Sequence, residues 1–193
     1  HKTMKKLSIR QQVNRIESIL EQATYTEMME GVVWYEEANE FANDIANEYG
    51  LSLGQISQLI SLLSPQKRWE QNKIDVVRFL DGETNGIFST KRTLAECSAV
   101  VDEGFIIPES RMKTFAFAKC IEEAKVNESD PVVIDRHAIK IAYGQMDAKP
   151  IIITDCRYRE AVESYQKVAE KYGMKAHQVQ AVTWVAYKRI VNR

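Results

Sequence analysis

Apolar residues recur at three- and four-residue intervals along almost the whole chain, which is the spacing of one face of an α-helix. Residues 9–22 carry Val13, Ile16 and Leu20 at this spacing, with arginines and glutamates between them. The same spacing indicates helices over residues 34–49, 53–63, 113–125, 157–172 and 177–191, among others. The pattern therefore predicts an all-α fold, a compact helical domain of about eight helices.

Several helix ends are also marked in the sequence. Ser52, with Gln55 three residues later, has the pattern of a capping box, and the broad apolar face that follows predicts a central buried helix. Pro65 interrupts that helix because proline cannot continue it, so the next helix is predicted from about residue 66. The β-branched runs at 131–134 and 150–153 allow two short strands at most, and extended entries into helices are favoured.

The composition is that of a globular protein that folds in water. Of the 193 residues, 45% are hydrophobic and 27% charged, and no apolar run approaches a membrane span. The first residues lack the apolar segment of a signal peptide, so we expect a cytoplasmic protein with no membrane partner. The three cysteines and three histidines show no ligand spacing, so neither a metal nor another cofactor is expected, and His177 is expected at the surface.

Charge is unevenly distributed although the net charge is only −1. Seven acids and no base lie between Thr26 and Gly50, whereas residues 140–193 carry ten bases and five acids. A near-neutral total is weak evidence against a nucleic-acid partner. The basic C-terminal part nevertheless leaves room for a local positive face.

The window 107–144 holds the residues with the clearest chemistry. Lys113 begins an apolar helix, and Asp135 stands at a predicted helix N-cap, where exposed N–H groups and the helix dipole favour a carboxylate. Ile107-Pro108, Lys113-Thr114 and Ile134-Asp135-Arg136-His137 resemble the core of the helix-hairpin-helix DNA glycosylase superfamily. There, a hairpin of the type L-P-G-V-G-x-K-T-A is followed by V-D-T-H at the next helix start.

The resemblance implies a glycosylase-like fold and two catalytic residues. Asp135 would be the carboxylate beside the sugar C1′, where positive charge develops as the base leaves. Lys113 would be the nucleophile that forms a Schiff base and permits strand cleavage. Glu109 and Arg111 stand where the family has its two hairpin glycines, and the iron–sulfur cysteines of some members are absent.

A second group of candidate residues lies where Pro65 breaks the helical pattern. In glycosylases of this superfamily, a comparable junction wedges into the duplex or reads the base. By resemblance, the candidates for base binding are Ser64, Gln66, Trp69 and Asn72. Trp69 is expected to stack on a base, and Gln66 and Asn72 to read its polar edge.

Elements spread over residues 34–190 also resemble a group of small bacteriophage proteins. The shared elements read L-S-P-x-x-x-W-x-x-N, K-x-x-x-F, I-D-R-x-A, Y-x-x-A and Q-A-x-x-W. This sequence shows Leu63-Ser64-Pro65 with Trp69 and Asn72, Lys113 with Phe117, Ile134-Asp135-Arg136-His137-Ala138, Tyr158 with Ala161, and Gln180-Ala181 with Trp184. The predicted substrate contacts also include Arg136, His137 and Trp184. Arg136 is expected to hold a phosphate or to orient the Asp135 carboxylate.

Together these resemblances predict a phage protein in the host cytoplasm, a hydrolase or lyase that acts on a base or nucleoside in DNA. The expected organisation is an N-terminal helix over residues 1–25 and one glycosylase-like domain over residues 26–193, with two lobes sharing a cleft. One alternative is a base-hypermodification enzyme that acts on 5-hydroxymethyluracil derivatives. Another is a non-enzymatic protein that blocks a host factor or sequesters a nucleotide, which the near-neutral charge and the missing hairpin glycines favour.

Overall fold

A computed structural model of the protein describes residues 5–192. Within that range the chain forms nine α-helices and no strand, which confirms the all-α prediction. The helices are α1 (Ile9–Glu21), α2 (Tyr25–Tyr49), α3 (Leu53–Leu63), α4 (Trp69–Leu80), α5 (Lys91–Asp102), α6 (Met112–Glu122), α7 (Arg136–Tyr143), α8 (Asp155–Tyr172) and α9 (Ala176–Val191). None of these helices combines the length and the apolar character needed to cross a membrane.

The chain divides into two compact units. Unit 1 contains His1–Glu36 and Val126–Arg193, and unit 2 contains Glu37–Lys125. In the described part of the chain, unit 1 therefore comprises α1, the first half of α2, and α7 to α9. Unit 2 comprises the second half of α2, and α3 to α6.

Unit 1 is built on α1, which packs against α7, α8 and α9. Ile16 and Ile19 of α1 are buried, and so are Ile139 of α7, Tyr165 of α8 and Val182 of α9. These residues come from distant parts of the sequence, so burial of their apolar surface is what joins the two segments of unit 1. The run Val132 to Ile134 is buried without forming a strand, as expected for an extended entry into α7.

Unit 2 is built on α3, which contacts α4, α5 and α6 and is the central buried helix that the sequence predicts. Ser52 and Gln55 form the predicted capping box at its first turn. The buried Asn39 of α2 donates from Nδ2 to the backbone oxygen of Ile121 at 2.8 Å. That bond ties the end of α6 to α2 within unit 2, in addition to the bond that the Ile121 carbonyl accepts from the Ala124 N–H.

Two helix starts differ from the sequence-based prediction. The second helix begins at Tyr25, not at residue 34, because Thr24 and Glu27 form reciprocal side-chain to backbone hydrogen bonds of 3.1 and 2.9 Å. This is a T-x-x-E capping box, a sequence pattern that indicates a helix start at this position. The fourth helix begins at Trp69, not at residue 66, because Gln66 adopts a left-handed backbone conformation with φ 58°.

Gly31 is required where α2 meets α9 within unit 1. A Cβ atom added at Gly31 would lie 2.5 Å from the Cα atom of Val182 and 2.6 Å from its backbone nitrogen. We expect Gly31→Ala to lower the free energy of unfolding by about 3 kcal/mol, because the clash is with backbone and only a shift of a helix relieves it. Chemical denaturation followed by circular dichroism measures this loss.

Gly54→Ala is the matched control, a glycine-to-alanine change in the first turn of α3. Its Cβ atom would meet only the carboxylate of Glu122, at 3.2 Å, and that flexible side chain can move. Because alanine favours the helix, the stability of this variant should lie between no change and a gain of about 1 kcal/mol. Equal losses in the two variants would contradict the close approach of α2 and α9.

Candidate functional site

Asp135 caps α7, as the sequence predicts. Its backbone is extended (φ −92°, ψ −175°), and its Oδ1 atom accepts a hydrogen bond from the Ala138 backbone N–H at 2.8 Å. The other carboxylate oxygen, Oδ2, lies 3.7 Å from Nδ1 of His137, and the side chain is 27% exposed. The carboxylate is thus fixed in place by the helix while part of it still reaches solvent.

Two tyrosines of α8 hold the backbone on both sides of Asp135. The Tyr158 hydroxyl accepts from the Ile134 backbone N–H at 3.4 Å, and the buried Tyr165 hydroxyl donates to the Ala138 carbonyl at 2.8 Å. Burial raises the pKa of Tyr165 well above its usual value, and the nearby charge of Asp135 adds to this effect. Tyr165 therefore stays protonated and serves as a fixed donor under α7.

An aromatic group from α9 stands beside His137. The Trp184 and Tyr187 rings are centred 6.4 and 6.3 Å from the His137 ring, each close to edge-on. The Lys188 ammonium lies 3.5 Å from the centre of the Trp184 ring, a cation–π contact. A carboxylate, an imidazole, an indole and an ammonium are thereby gathered along α7 and α9.

Four predicted site residues consequently lie close together in unit 1, namely Asp135, Arg136, His137 and Trp184. Arg136 is the first residue of α7, and its side chain is exposed. Tyr165, Tyr187 and Lys188 also belong to this group, and of these three only Tyr165 was missed from the sequence. Tyr187 and Lys188 follow Trp184 by about one helical turn, so helical spacing alone indicated them; Tyr165 carried no local signal.

The sequence-based expectation places His177 at the surface. In the structure this residue is buried in unit 1, with 1% of its surface exposed. Its ring is centred 5.1 Å from the ring of Tyr35. The expectation was wrong because His177 lies on the face of α9 that packs into the core, between the buried Ala176 and Val179.

In unit 2, Trp69 and Asn72 are one turn apart on α4. The Trp69 ring is half-buried against Phe41, with their centres 6.0 Å apart, and the Lys73 ammonium lies 5.5 Å from the Trp69 ring centre. Asn72 is only 2% exposed, yet its Oδ1 atom has no hydrogen-bond partner among the described residues. A buried amide oxygen without a partner costs about 1–3 kcal/mol.

The other two junction residues have different environments. The Ser64 hydroxyl donates to the Ser61 carbonyl at 2.8 Å, where it ends α3 as a cap. Gln66 is exposed, and its left-handed backbone is uncommon for a residue with a side chain. Such strain often accompanies function.

A buried ionic group braces this junction. The Lys67 ammonium lies 2.8 Å from Asp75 Oδ2, and Gln71 donates to Asp75 Oδ1 at 2.8 Å. Burial raises the pKa of the Asp75 carboxyl, but hydrogen bonds from Lys67 and Gln71 and the charges of Lys67 and Arg78 outweigh it. The pKa of Asp75 therefore lies below its usual value, and the carboxylate is charged at neutral pH.

Lys113 lies in unit 2, apart in the chain from the group around Asp135. It is the second residue of α6, and its side chain is exposed. The resemblance aligns the preceding loop, residues 103–111, with the family hairpin. In this loop Arg111 has φ −84°, and its guanidinium pairs with Glu96. The backbone at Arg111 is thus one that any residue adopts.

No group of three or more histidine, cysteine or acidic side chains in the described range is placed to hold a metal ion. Cys97 and Cys120 are buried, and Cys156 is exposed. Burial raises the pKa of the Cys97 thiol to about 12, with a further contribution from Glu96, so this thiol is protonated and unreactive at neutral pH.

The fold and the two residue groups define an all-α protein with a capped carboxylate beside an aromatic and cationic surface. Its sequence matches a family of unknown function, DUF7178, over residues 1–191, and the chain belongs to that family. No curated protein and no solved structure matches the chain.

Proposed function

We propose that the protein acts on a base or nucleoside in DNA in the manner of a DNA glycosylase, with Asp135 as the catalytic carboxylate. The observation that carries this proposal is the geometry of Asp135: one oxygen is held by the first turn of α7, and the other lies on the side of His137. An anion at this position is stabilised by the helix before any substrate binds. It is therefore suited to stabilising a cation.

The proposed reaction needs such a group. When the bond between C1′ and the base nitrogen breaks, the bonding electrons leave with the base, which takes up a proton, and the sugar is left with positive charge at C1′. The Asp135 carboxylate stabilises that charge. Either water adds to C1′ and loses a proton, or the Lys113 amine adds there, loses a proton and gives a Schiff base as the sugar ring opens. Trp184 and His137 offer aromatic surfaces that suit a base displaced from its stack.

The junction residues of unit 2 enter the proposal through the resemblance to glycosylases. The Oδ1 atom of Asn72 lacks a hydrogen-bond partner among the described residues, the residue is 2% exposed, and Trp69 lies one turn earlier on the same helix. We assign both residues, with Ser64 and Gln66, to base recognition. The assignment of Lys113 as an amine nucleophile rests on the resemblance to glycosylases alone.

Base release and borohydride trapping on a panel of duplexes test this proposal. The panel contains normal, oxidised, deaminated, hydroxymethylated and abasic nucleotides, and borohydride reduces any Schiff base between protein and sugar to a stable adduct. We expect release of one class of base by the wild-type protein. We expect a trapped adduct that Lys113→Ala abolishes and that Lys119→Ala, on the same helix, retains.

Each other outcome changes a defined part of the proposal. Base release without an adduct in the wild type would remove Lys113 from the mechanism and leave a hydrolase. Activity confined to hydroxymethylated bases would favour the hypermodification function. Binding of the panel without base release or adduct would contradict the enzymatic proposal and favour a binding protein.

A further inference from the structure

The surface beside the Asp135 carboxylate carries four cations from three helices of unit 1. Arg136 and Lys140 are one turn apart on α7, and Lys188 of α9 covers Trp184. Arg15 of α1 crosses the other end of α7, where its Cδ atom lies 3.0 Å from the position of a Cβ atom on Gly144. We name this surface, made of Arg15, Arg136, Lys140 and Lys188, the α7 basic face.

The four cations of the α7 basic face have no carboxylate within ion-pair distance in the described part of the chain. Several basic residues elsewhere in unit 1 are paired with a carboxylate. Lys171 lies 2.9 Å from Glu17, Lys175 lies 3.1 Å from Glu36, and Arg189 lies 2.9 Å from Glu27. These pairs neutralise part of the positive charge elsewhere in the unit. On the α7 basic face, Lys140 Nζ donates to the backbone carbonyl of Asp147 at 3.3 Å, and the charge of Lys140 is not paired with a carboxylate of the described residues.

Aromatic rings lie among these cations. The His137 ring lies edge-on to the Trp184 ring, and the Lys188 ammonium lies over the Trp184 ring. Arg136 precedes His137 at the start of α7. Proteins often hold single-stranded nucleic acid with cations and aromatic rings placed side by side. The cations contact phosphates, and the rings stack on unpaired bases. A surface of acidic lipids would also attract the cations, so it is the alternative that the test includes.

We infer that the α7 basic face binds the phosphate backbone of a single-stranded stretch of nucleic acid whose bases pack against Trp184 and His137. This deepens the proposed function, on which it rests for the choice of nucleic acid, by placing the strand that carries the reacting nucleotide along α7. The α7 basic face is expected to bind the strand whether or not a base is released, because its four cations act independently of the Asp135 carboxylate.

The test compares two double variants of equal charge. Lys140→Gln/Lys188→Gln removes two cations of the α7 basic face, and Lys167→Gln/Lys171→Gln removes two exposed, ion-paired cations of α8. Fluorescence anisotropy measures binding of a labelled single-stranded DNA, the RNA of the same sequence and the DNA duplex over a range of salt concentrations. Vesicles of phosphatidylcholine and phosphatidylserine serve as the membrane probe.

We expect the first variant to bind single-stranded DNA roughly 10- to 30-fold more weakly at about 0.1 M salt. The slope of log K against log salt should fall by about 1.4, since each lost phosphate contact with a single strand removes about 0.7. The second variant should bind as the wild type does. Preference for DNA over RNA would identify the strand as DNA, and the reverse would identify RNA and separate the face from the proposed function.

Two results would overturn the inference. One is equal loss of binding in both double variants, which would reflect net charge alone. The other is binding to the acidic vesicles in place of the oligonucleotides. If the α7 basic face binds single strands while the duplex panel shows no base release, the inference stands and the proposed function fails.

Discussion

Asp135→Asn should abolish base release, with a rate reduced by on the order of 10²- to 10³-fold, while leaving the fold intact. Asparagine is as good an N-cap as aspartate, so its side-chain oxygen keeps the hydrogen bond to the Ala138 N–H. What the substitution removes is the negative charge at the side of His137. Single-turnover rates on the base that the duplex panel identifies measure the loss, and thermal unfolding checks the fold.

Two further variants distinguish the loss of the N-cap hydrogen bond from the loss of the negative charge of Asp135. Asp135→Ala loses both, so it should be as inactive as Asp135→Asn and also about 1 kcal/mol less stable. Glu163→Gln removes an exposed charge of α8 whose only described ion pair is a 3.9 Å contact with Lys167, and it should keep the wild-type rate. If Asp135→Asn turns over at the wild-type rate while Asp135→Ala is merely less stable, Asp135 is a helix cap and nothing more.

The sequence predicts the helices well wherever local signals agree. Ser52 and Gln55 cap α3, and Asp135 caps α7, as their spacing indicates. The start of α2 was placed too late, because its first two turns include Gly31 and lack a clear apolar stripe. Gly31 has a poor helix propensity, yet the helix continues through it because the backbone of Val182 fills the space of a side chain.

Only part of the candidate site could be predicted from the sequence. Asp135, Arg136 and His137 are neighbours in sequence, and the N-cap pattern singles them out. Their proximity to Trp184, and the support from Tyr165, depend on how α8 and α9 pack against α7. Such contacts between distant segments are decided by tertiary packing, on which helical period and capping residues carry no information.

Lys67→Met should lower the free energy of unfolding by about 3 kcal/mol, the largest stability loss we expect from a charged residue of unit 2. The side chain of Asp75 is 2% exposed and that of Lys67 17%, so the substitution leaves a buried carboxylate without its closest cation. Arg78, at 3.4 Å, and Gln71 remain as partners and limit the loss. Lys125→Met, which removes an exposed partner of Glu40, should cost less than about 1 kcal/mol.

Trp69 can report this loss for unit 2 alone. In a background with Trp34→Phe and Trp184→Phe, it is the one tryptophan left of three, so its fluorescence during urea denaturation follows the unit that contains Lys67. The double variant Lys67→Met/Asp75→Leu should be more stable than Lys67→Met, because it no longer buries an unpaired charge. Equal stability of the two would contradict the ion pair.

Lowering the pH should remove the same ion pair between Lys67 and Asp75. Because the folded-state pKa of Asp75 lies below its usual value, its contribution to stability is complete above about pH 4 and is lost as the pH falls through the lower, folded-state pKa. Over this acid range the wild-type protein should lose stability more steeply than Asp75→Asn, which has no carboxylate to protonate. Identical pH profiles for the two proteins would show that Asp75 is not held as an anion by Lys67, Gln71 and Arg78.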